Sequence, residues 1–355
     1  MNHLELFSGI GGFRRAMDLL SIDGIMNLRT VAYSEIDKNA VTTYCANYDT
    51  QNELAIGDIV SFVGNEDNYA RLPQFDILTA GFPCQTFSMM GNQLGFAEDR
   101  GQMFFRILDI LQHCHPRYIL LENVKNLITH DKGNTFKVII FKLQEAGYTV
   151  HHDIFNTLDF GLPQKRNRTI IFGRLNQFGD FPFNNELVKE HFLRIDKDNC
   201  SLNFYDNVVD LLSRKVDAKY YLSEKIKPTL LSDGSASFRS NSDIDQIIAR
   251  PLTATMHKMH RACQDNYYSD IFIRTKGERR PSESLSKEEL ALIPIRKLTP
   301  QEAFMLQGFP RDFAKKAEKA KVSNGAMYKQ AGNAVSVNTI YAVLHYLISN
   351  NIIFN

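Results

Sequence analysis

Apolar residues in the first half of the chain fall into short dense runs, separated by stretches in which they recur every three or four positions. The runs HLELF, TVAYS, FDILTA and RYILLEN predict buried β-strands, and the periodic stretches 13–20, 38–46, 102–112 and 135–145 predict helices. Strand and helix in alternation is the pattern of a parallel sheet covered by helices. YTVHHDIFN and RTIIFGRL predict two more strands, one on each side of the loop TLDFGLPQKRN. Past Arg174 the rhythm is lost: SDGSASFRSNSD is small and polar, TKGERRPSESLSKEEL is charged, and IFIRT reads as a short strand. Regularity returns in RKLTPQEAFMLQGFP, where Thr299 caps a helix, Pro300 fits its first turn and Glu302 completes a capping box. NTIYAVLHYLISN predicts a last helix. The expected organisation is an α/β domain over 1–185, with helices on both faces of a mixed sheet, then a smaller, irregular, mainly β domain over 186–322. A segment 323–355 returns to the first domain.

Composition narrows the class. At 355 residues, 44% hydrophobic and 23% charged, the chain can fill a large core plus a second domain without staples. The opening MNHLELFSGIGG has no basic flank ahead of a long apolar run, and no segment is long and apolar enough to span a bilayer. A cytoplasmic protein without membrane attachment is expected. The five cysteines are odd in number, scattered and free of C-x-x-C spacing, so reduced thiols are expected and no metal. A net charge of +1 argues against coating a nucleic acid by bulk charge but leaves room for a local basic face.

Candidate chemistry gathers where strands end. LELFSGIGGFRRA is a strand, a glycine loop and a helix start, an order that brings an adenosine-bearing ligand against backbone amides. Gly9, Gly11 and Gly12 do not have the G-x-G-x-x-G spacing, so alone they equally describe a tight turn. Glu35 ends the next strand roughly 20 residues on, where a carboxylate accepts from a ribose diol. Asp58 follows at the next turn. In FDILTAGFPCQTFSMMG, Cys84 stands where a strand gives way to a loop, among Gln85, Thr86 and Ser88, a place that suits a reactive thiol better than a structural one. Glu122 and Asn123 end the following strand on the same edge. Arg166 and Arg168 alternate at the entry to a strand and should share a face. His113, Cys114 and His115 suggest a thiol or metal cluster, but LQHCHP reads better as a helix end, where histidine suits the negative pole of the dipole.

These stretches, in this order, resemble the bacterial DNA (cytosine-5)-methyltransferases over nearly the whole chain outside its middle. FSGIGG is similar to the family's S-adenosylmethionine loop, GFPCQTFS to its nucleophile loop, ENV to its acid motif and QKRNR to its target-base arginine motif. RKLTPQEAFMLQGFP and QAGNAVSVNTI resemble the closing pair. The resemblance implies a Rossmann-like methyltransferase fold in the 1–185 domain and a target-recognition domain over 186–322. It implies S-adenosylmethionine as cofactor, with S-adenosylhomocysteine as product, held by Phe7, Ser8, Gly9, Gly11, Gly12, Glu35, Ile36, Asp58, Ile59, Pro83, Asn333 and Val335. The family often has an aromatic residue where this chain has Ile36, so aliphatic packing is expected against the adenine.

The implied chemistry is methyl transfer to C5 of a cytosine turned out of duplex DNA. Cys84 would attack C6, Glu122 would hold the N3 and N4 edge, Arg168 the O2 atom, and Arg166 a flanking phosphate and the thiol loop. SMMGNQLGFAEDRG would supply the small and polar residues of a loop that moves over the base. Phe82, Gln85, Ser88 and Met90 would meet the DNA near the thiol. In the middle region Leu252-Thr253-Ala254 matches the recurring core of the recognition segment, with Thr253, Lys258, Arg261, Arg274 and Lys276 as contacts. The expected setting is a monomer acting on double-stranded DNA at the bacterial nucleoid, with room for a paired restriction endonuclease. A tRNA cytosine methyltransferase on the same framework and a catalytically dead DNA-binding paralogue are the alternatives. GFPCQTFS with a long recognition region favours DNA, and intact Cys84, Glu122, Arg166 and Arg168 favour an enzyme.

Overall fold

The structure is a computed structural model that describes residues 1–83, 103–176, 181–235, 238–239, 241–258 and 261–354. It contains two compact units, one of Met1–Asn156, Asn167–Ser201 and Thr339–Asn355, the other of Thr157–Arg166 and Leu202–Asn338. The chain thus crosses at 201/202 and 338/339, where the sequence reading has 185/186 and 322/323, and the segment 157–166 belongs to the second unit.

The first unit carries seven strands: β1 (Asn2–Leu6), β2 (Arg29–Ser34), β3 (Leu54–Ala55), β4 (Ile77–Gly81), β5 (Tyr118–Val124), β6 (Tyr148–Asn156) and β7 (Asn167–Leu175). Their order in the sheet is β3-β2-β1-β4-β5-β7-β6. β1 to β5 are parallel, and β7 runs antiparallel to both β5 and β6. The helices are α1 (Gly12–Ile22), α2 (Lys38–Asn47), α3 (Ile59–Val63), α4 (Met103–Cys114), α5 (Asn134–Glu145) and α6 (Asn185–Phe192). Successive strands step outward from β1 to β3, then resume on the other side at β4. Because such crossovers are right-handed, α1 and α2 cover one face and α4 the other. That reversal makes a switch point between β1 and β4, and ligands of open α/β sheets lie at the carboxyl ends of strands at such a point.

The dense apolar runs form strands because both faces are covered. Leu4, Leu6, Leu78, Ala80, Ile119 and Leu121 are wholly buried against α4 and α5 residues such as Ile107, Leu111, Ile139 and Leu143. One polar rung crosses this core: His3 bonds Thr30 Oγ1 at 3.0 Å and Thr79 Oγ1 at 2.8 Å, tying β1 to both neighbours. Burial drives the pKa of His3 down to about 3, so it is neutral. The edge strand β6 is more exposed, which its His-His-Asp segment accommodates.

The second unit is irregular. Its elements are α7 (Lys227–Leu231), β8 (Gly234–Ser235), β9 (Phe238–Arg239), β10 (Tyr267–Ser269), α8 (Asp270–Arg274), α9 (Lys287–Leu292), β11 (Ile295–Lys297), α10 (Pro300–Met305), α11 (Phe313–Lys319) and α12 (Asn324–Asn333). β8 pairs with β9 and β10 with β11, both antiparallel. Leu230, Leu231, Ile244, Tyr267 and Ile295 sit in its core. The capping box of Thr299 and Glu302 forms as expected, with Thr299 Oγ1 accepting from Glu302 N. The IFIRT stretch is not a strand. Ile271 to Arg274 continue a helix that Ser269 caps by accepting from Phe272 N. So short an apolar run has no decisive period, and the preceding Ser-Asp is a helix start. The last helix, α13 (Val337–Ser349), brings the chain back to the first unit.

Candidate active site

β1 leaves the sheet at the switch point and turns at once. Phe7 (φ 52°), Gly9 (φ 54°) and Gly11 (φ 80°) all take left-handed conformations, which at Phe7 is strained. Ser8 N donates to Ser34 O and Gly11 N to Ser8 O, closing a compact loop before α1 begins at Gly12. Glu35, one residue past β2, holds the loop from the side. Its Oε2 accepts from Gly9 N at 2.9 Å, and its Oε1 accepts from Ile36 N and Asp37 N at 2.8 Å. A carboxylate has about four acceptor sites; Oε1 already accepts from two donors and Oε2 from one, so Oε2 can still accept from a ribose hydroxyl.

Three features fit these residues to S-adenosylmethionine. The Ser8 Oγ atom is buried and has no hydrogen-bond partner among the described residues. A Cβ built on Gly9 meets nothing within 4 Å, so the loop faces open space. Ile36 is 72% exposed, unusual for a large apolar side chain and suited to packing on a planar base. Asp58 caps α3, accepting from Val60 N at 3.0 Å and from the Ser61 hydroxyl at 2.9 Å. The Ile59 side chain is in the core. Pro83 is exposed beyond β4. Asn333, exposed, and Val335, half-buried, end α12 and follow it in the second unit.

On the same sheet edge Glu122, near the end of β5, stands in register with Gly81 of β4. It is 8% exposed, and its Oε1 accepts from Arg168 Nε of β7 at 2.8 Å. Glu122 and Arg168 are therefore brought together as a carboxylate–guanidinium pair, and Arg168 is anchored further by donating to Asn167 O. Asn123 escaped the sequence reading as a working residue. Its Nδ2 donates to Phe82 O at 2.8 Å, tying the end of β5 to the exit from β4. Phe82 itself was expected at the DNA. The residue is 3% exposed and its ring packs 6.0 Å from Phe104, so its side chain belongs to the core. Cys84, Gln85, Ser88 and Met90, with the rest of SMMGNQLGFAEDRG, lie outside the described residues.

Arg166 departs from expectation. It precedes the first residue of β7, so strand alternation does not place it on the face of Arg168. Its side chain is buried in the second unit, where NH1 donates to Leu252 O at 3.0 Å and NH2 to Gly332 O at 3.0 Å and Ala334 O at 2.9 Å. A buried guanidinium must be satisfied in this way, and a flanking phosphate has no access to it. Gln164 works beside it: its Oε1 accepts from Leu252 N and its Nε2 donates to Leu306 O, both at 2.9 Å. No periodicity signals that role. Lys258, Arg261, Arg274 and Lys276 are exposed on the second unit, with Arg274 paired to Asp270, and Thr253 is half-buried.

The family model for the C-5 cytosine-specific DNA methylase matches residues 1–349. The Type II methyltransferase M1.ScrFI of Lactococcus lactis subsp. cremoris is 35% identical over 353 residues, 97% of this chain and 77% of its own length. M.HaeII of Haemophilus aegyptius is 34% identical over 349 residues, covering 98% of this chain and 92% of that protein. Among solved structures, the Dnmt2 methyltransferase of S. pombe superposes with a TM-score of 0.76 at 22% identity, over all of both chains, which speaks to the fold. Glycine loop, acid strand and family match agree, and the chain belongs to the C-5 cytosine-specific DNA methylases, the S-adenosylmethionine-dependent DNA (cytosine-5)-methyltransferases.

Proposed function

We propose that this enzyme methylates one cytosine within a short specific sequence of double-stranded DNA, on a base turned out of the helix and joined transiently through C6 to Cys84. The observation that carries the reading is the Glu122–Arg168 pair at the carboxyl edge of the sheet, in register with Gly81, from which the chain reaches Cys84 three residues on. Cytosine C5 is a poor nucleophile. Addition of a thiolate to C6 makes C5 enamine-like while negative charge gathers toward N3 and O2. Glu122 takes the N3 and N4 edge and supplies a proton at N3, and Arg168 steadies O2. A free thiol ionises near pH 8.5, so local positive charge must help Cys84. Bound S-adenosylmethionine supplies an electrophilic methyl group for C5. Loss of the C5 proton to water, elimination of the thiolate and return of the N3 proton to Glu122 release the methylated base and restore Cys84 and the Glu122 carboxyl.

The second unit reads the sequence. Arg261 suits a guanine edge, because a guanidinium bonds bidentately to O6 and N7, and Lys258 suits a phosphate. Thr253, Arg274 and Lys276 complete the contacts, with Gln85, Ser88 and Met90 meeting the DNA from the thiol loop. The Type II names of the relatives support a restriction-modification setting; the proposal adds a monomeric enzyme in the cytoplasm, at the nucleoid, with room for a paired endonuclease.

The test has two parts. Bisulfite sequencing of DNA from cells expressing the protein, with purified tRNA assayed in parallel, should reveal one methylated sequence in DNA and none in tRNA. Cys84→Ser should abolish turnover while leaving S-adenosylmethionine binding intact, and DNA carrying 5-fluorocytosine at the target should form a denaturation-resistant complex. Normal turnover by Cys84→Ser would exclude thiol attack.

A further inference from the structure

Beneath the glycine loop lies a buried cluster that the proposed chemistry does not use. Tyr48, the residue after α2, donates its hydroxyl to Gly11 O at 2.8 Å. Its ring lies under the loop: a Cβ on Gly11 would come within 2.6 Å of Tyr48 Cε2 and 2.9 Å of Tyr44 Cε2. The ring is fixed in turn. The Arg14 guanidinium stands 4.6 Å from its centre, and Arg14 is held by the Glu53 carboxylate and by Asp49 O at 3.1 Å. The loop is therefore gripped at both ends of one segment, Gly9 N by Glu35 before α2 and Gly11 O by Tyr48 after it.

We propose that Tyr48 is a positioning residue that sets how tightly S-adenosylmethionine is held, acting through the Gly11 carbonyl. The inference rests on the reading of this loop as the cofactor loop. A peptide is planar and trans, so fixing the Gly11 C=O also fixes the Gly12 N–H, which points the opposite way. Gly12 opens α1, and a first-turn N–H has no acceptor within its helix. Arg15 N also donates to the Gly11 carbonyl, at 2.9 Å, so Tyr48 supplies the second bond that fixes this peptide plane and with it the Gly12 N–H, on the loop that also carries Ser8 Oγ, unpartnered among the described residues.

Tyr48→Phe keeps the ring and removes only the hydroxyl. Calorimetry should show the Kd for S-adenosylmethionine raised roughly three- to tenfold, the loss of one neutral hydrogen bond, with KM raised in step. The kcat at saturating cofactor and the Kd for DNA should be unchanged. Tyr44→Phe, whose hydroxyl donates to Glu5 and accepts from Arg14 NH1, both at 3.3 Å, and makes no bond to the loop, is the control and should keep wild-type cofactor affinity, since Arg14 is still held by Glu53 and Asp49 O. Glu35→Ala tests the loop reading independently. If Glu35→Ala weakens binding and Tyr48→Phe does not, or if Tyr48→Phe lowers only thermal stability, the positioning role is wrong and the loop reading stands. Equal weakening by Tyr44→Phe means general loosening and also overturns it. If neither Glu35→Ala nor Tyr48→Phe changes the affinity, the cofactor is held elsewhere and both readings fall.

Discussion

Glu5 stands in the middle of β1 with no exposed surface, where its Oε2 accepts from the Tyr44 hydroxyl at 3.3 Å. Burial pushes its pKa up to about 8, against the opposing pull of Arg14. Between the ordinary value of 4.5 and about 8, the folded protein therefore keeps a proton that the unfolded chain has lost. Stability falls as pH rises through that window and levels off above it. Glu5→Gln should remove this slope, so that relative to wild type it gains on the order of 2 kcal/mol between about pH 6 and pH 8. Urea midpoints across that range would check it, and parallel curves for the two proteins would rule it out. Glu5 is also a residue whose importance is invisible in the sequence, where it sits among the strand-forming residues of HLELF. The positions of Glu35, Glu122 and Arg168 were legible because each stands near the end or the start of a strand, where topology alone delivers it to the carboxyl edge of the parallel strands. Arg14 and Tyr48 were not, since their partners lie 39 and 37 residues away in the chain.

Among the elements, α10 shows how a local signal acquires a long-range task. The capping box was readable from Thr299, Pro300 and Glu302, but the Glu302 carboxylate does more than cap. Its two oxygens accept from NH1 and NH2 of Arg296 on β11 at 2.9 Å each, and Oε1 also accepts from Ser213 N at 2.7 Å. Both side chains are buried to within 1%. Breaking such a pair leaves an uncompensated guanidinium, so Glu302→Ala should lose about 3–5 kcal/mol, well above the ~1 kcal/mol of a lost cap. Denaturant unfolding distinguishes the two magnitudes, and a loss of cap size only would show Arg296 to be satisfied without its partner. Most strands and helices of the first 175 residues were legible because both sheet faces are covered, which writes dense apolar runs; β3 and α3, of 2 and 5 residues, are too short to show a period and were not. The second unit was poorly legible because its elements are short and its buried polar groups, Gln164 and Asp245 among them, are satisfied by distant backbone or side chains.

For the whole molecule, the proposed division of labour predicts the outcome of an exchange. Replacing about 180–294 with the corresponding segment of a related enzyme should change which sequence is methylated and leave the chemistry as it is, because base-edge contacts specify while catalysis needs only an extruded cytosine. Bisulfite sequencing reads both, and an active chimera that kept the original target would place recognition elsewhere. The exchanged segment must preserve one close approach: a Cβ at Gly332 would overlap the backbone of Thr253 and Ala254, so that stretch has to return to the same position. The ownership of 157–166 bears on a different kind of experiment, the dissection of the protein into fragments. A polypeptide of 202–338 alone lacks Gln164 and Arg166, and with them the donors to the carbonyls of Leu252, Leu306, Gly332 and Ala334. Stranded carbonyls of that number are costly in a unit with so few long elements. An autonomous reader of DNA would have to carry the decapeptide 157–166 along, supplied through a linker or as a separate peptide that restores the fold on binding.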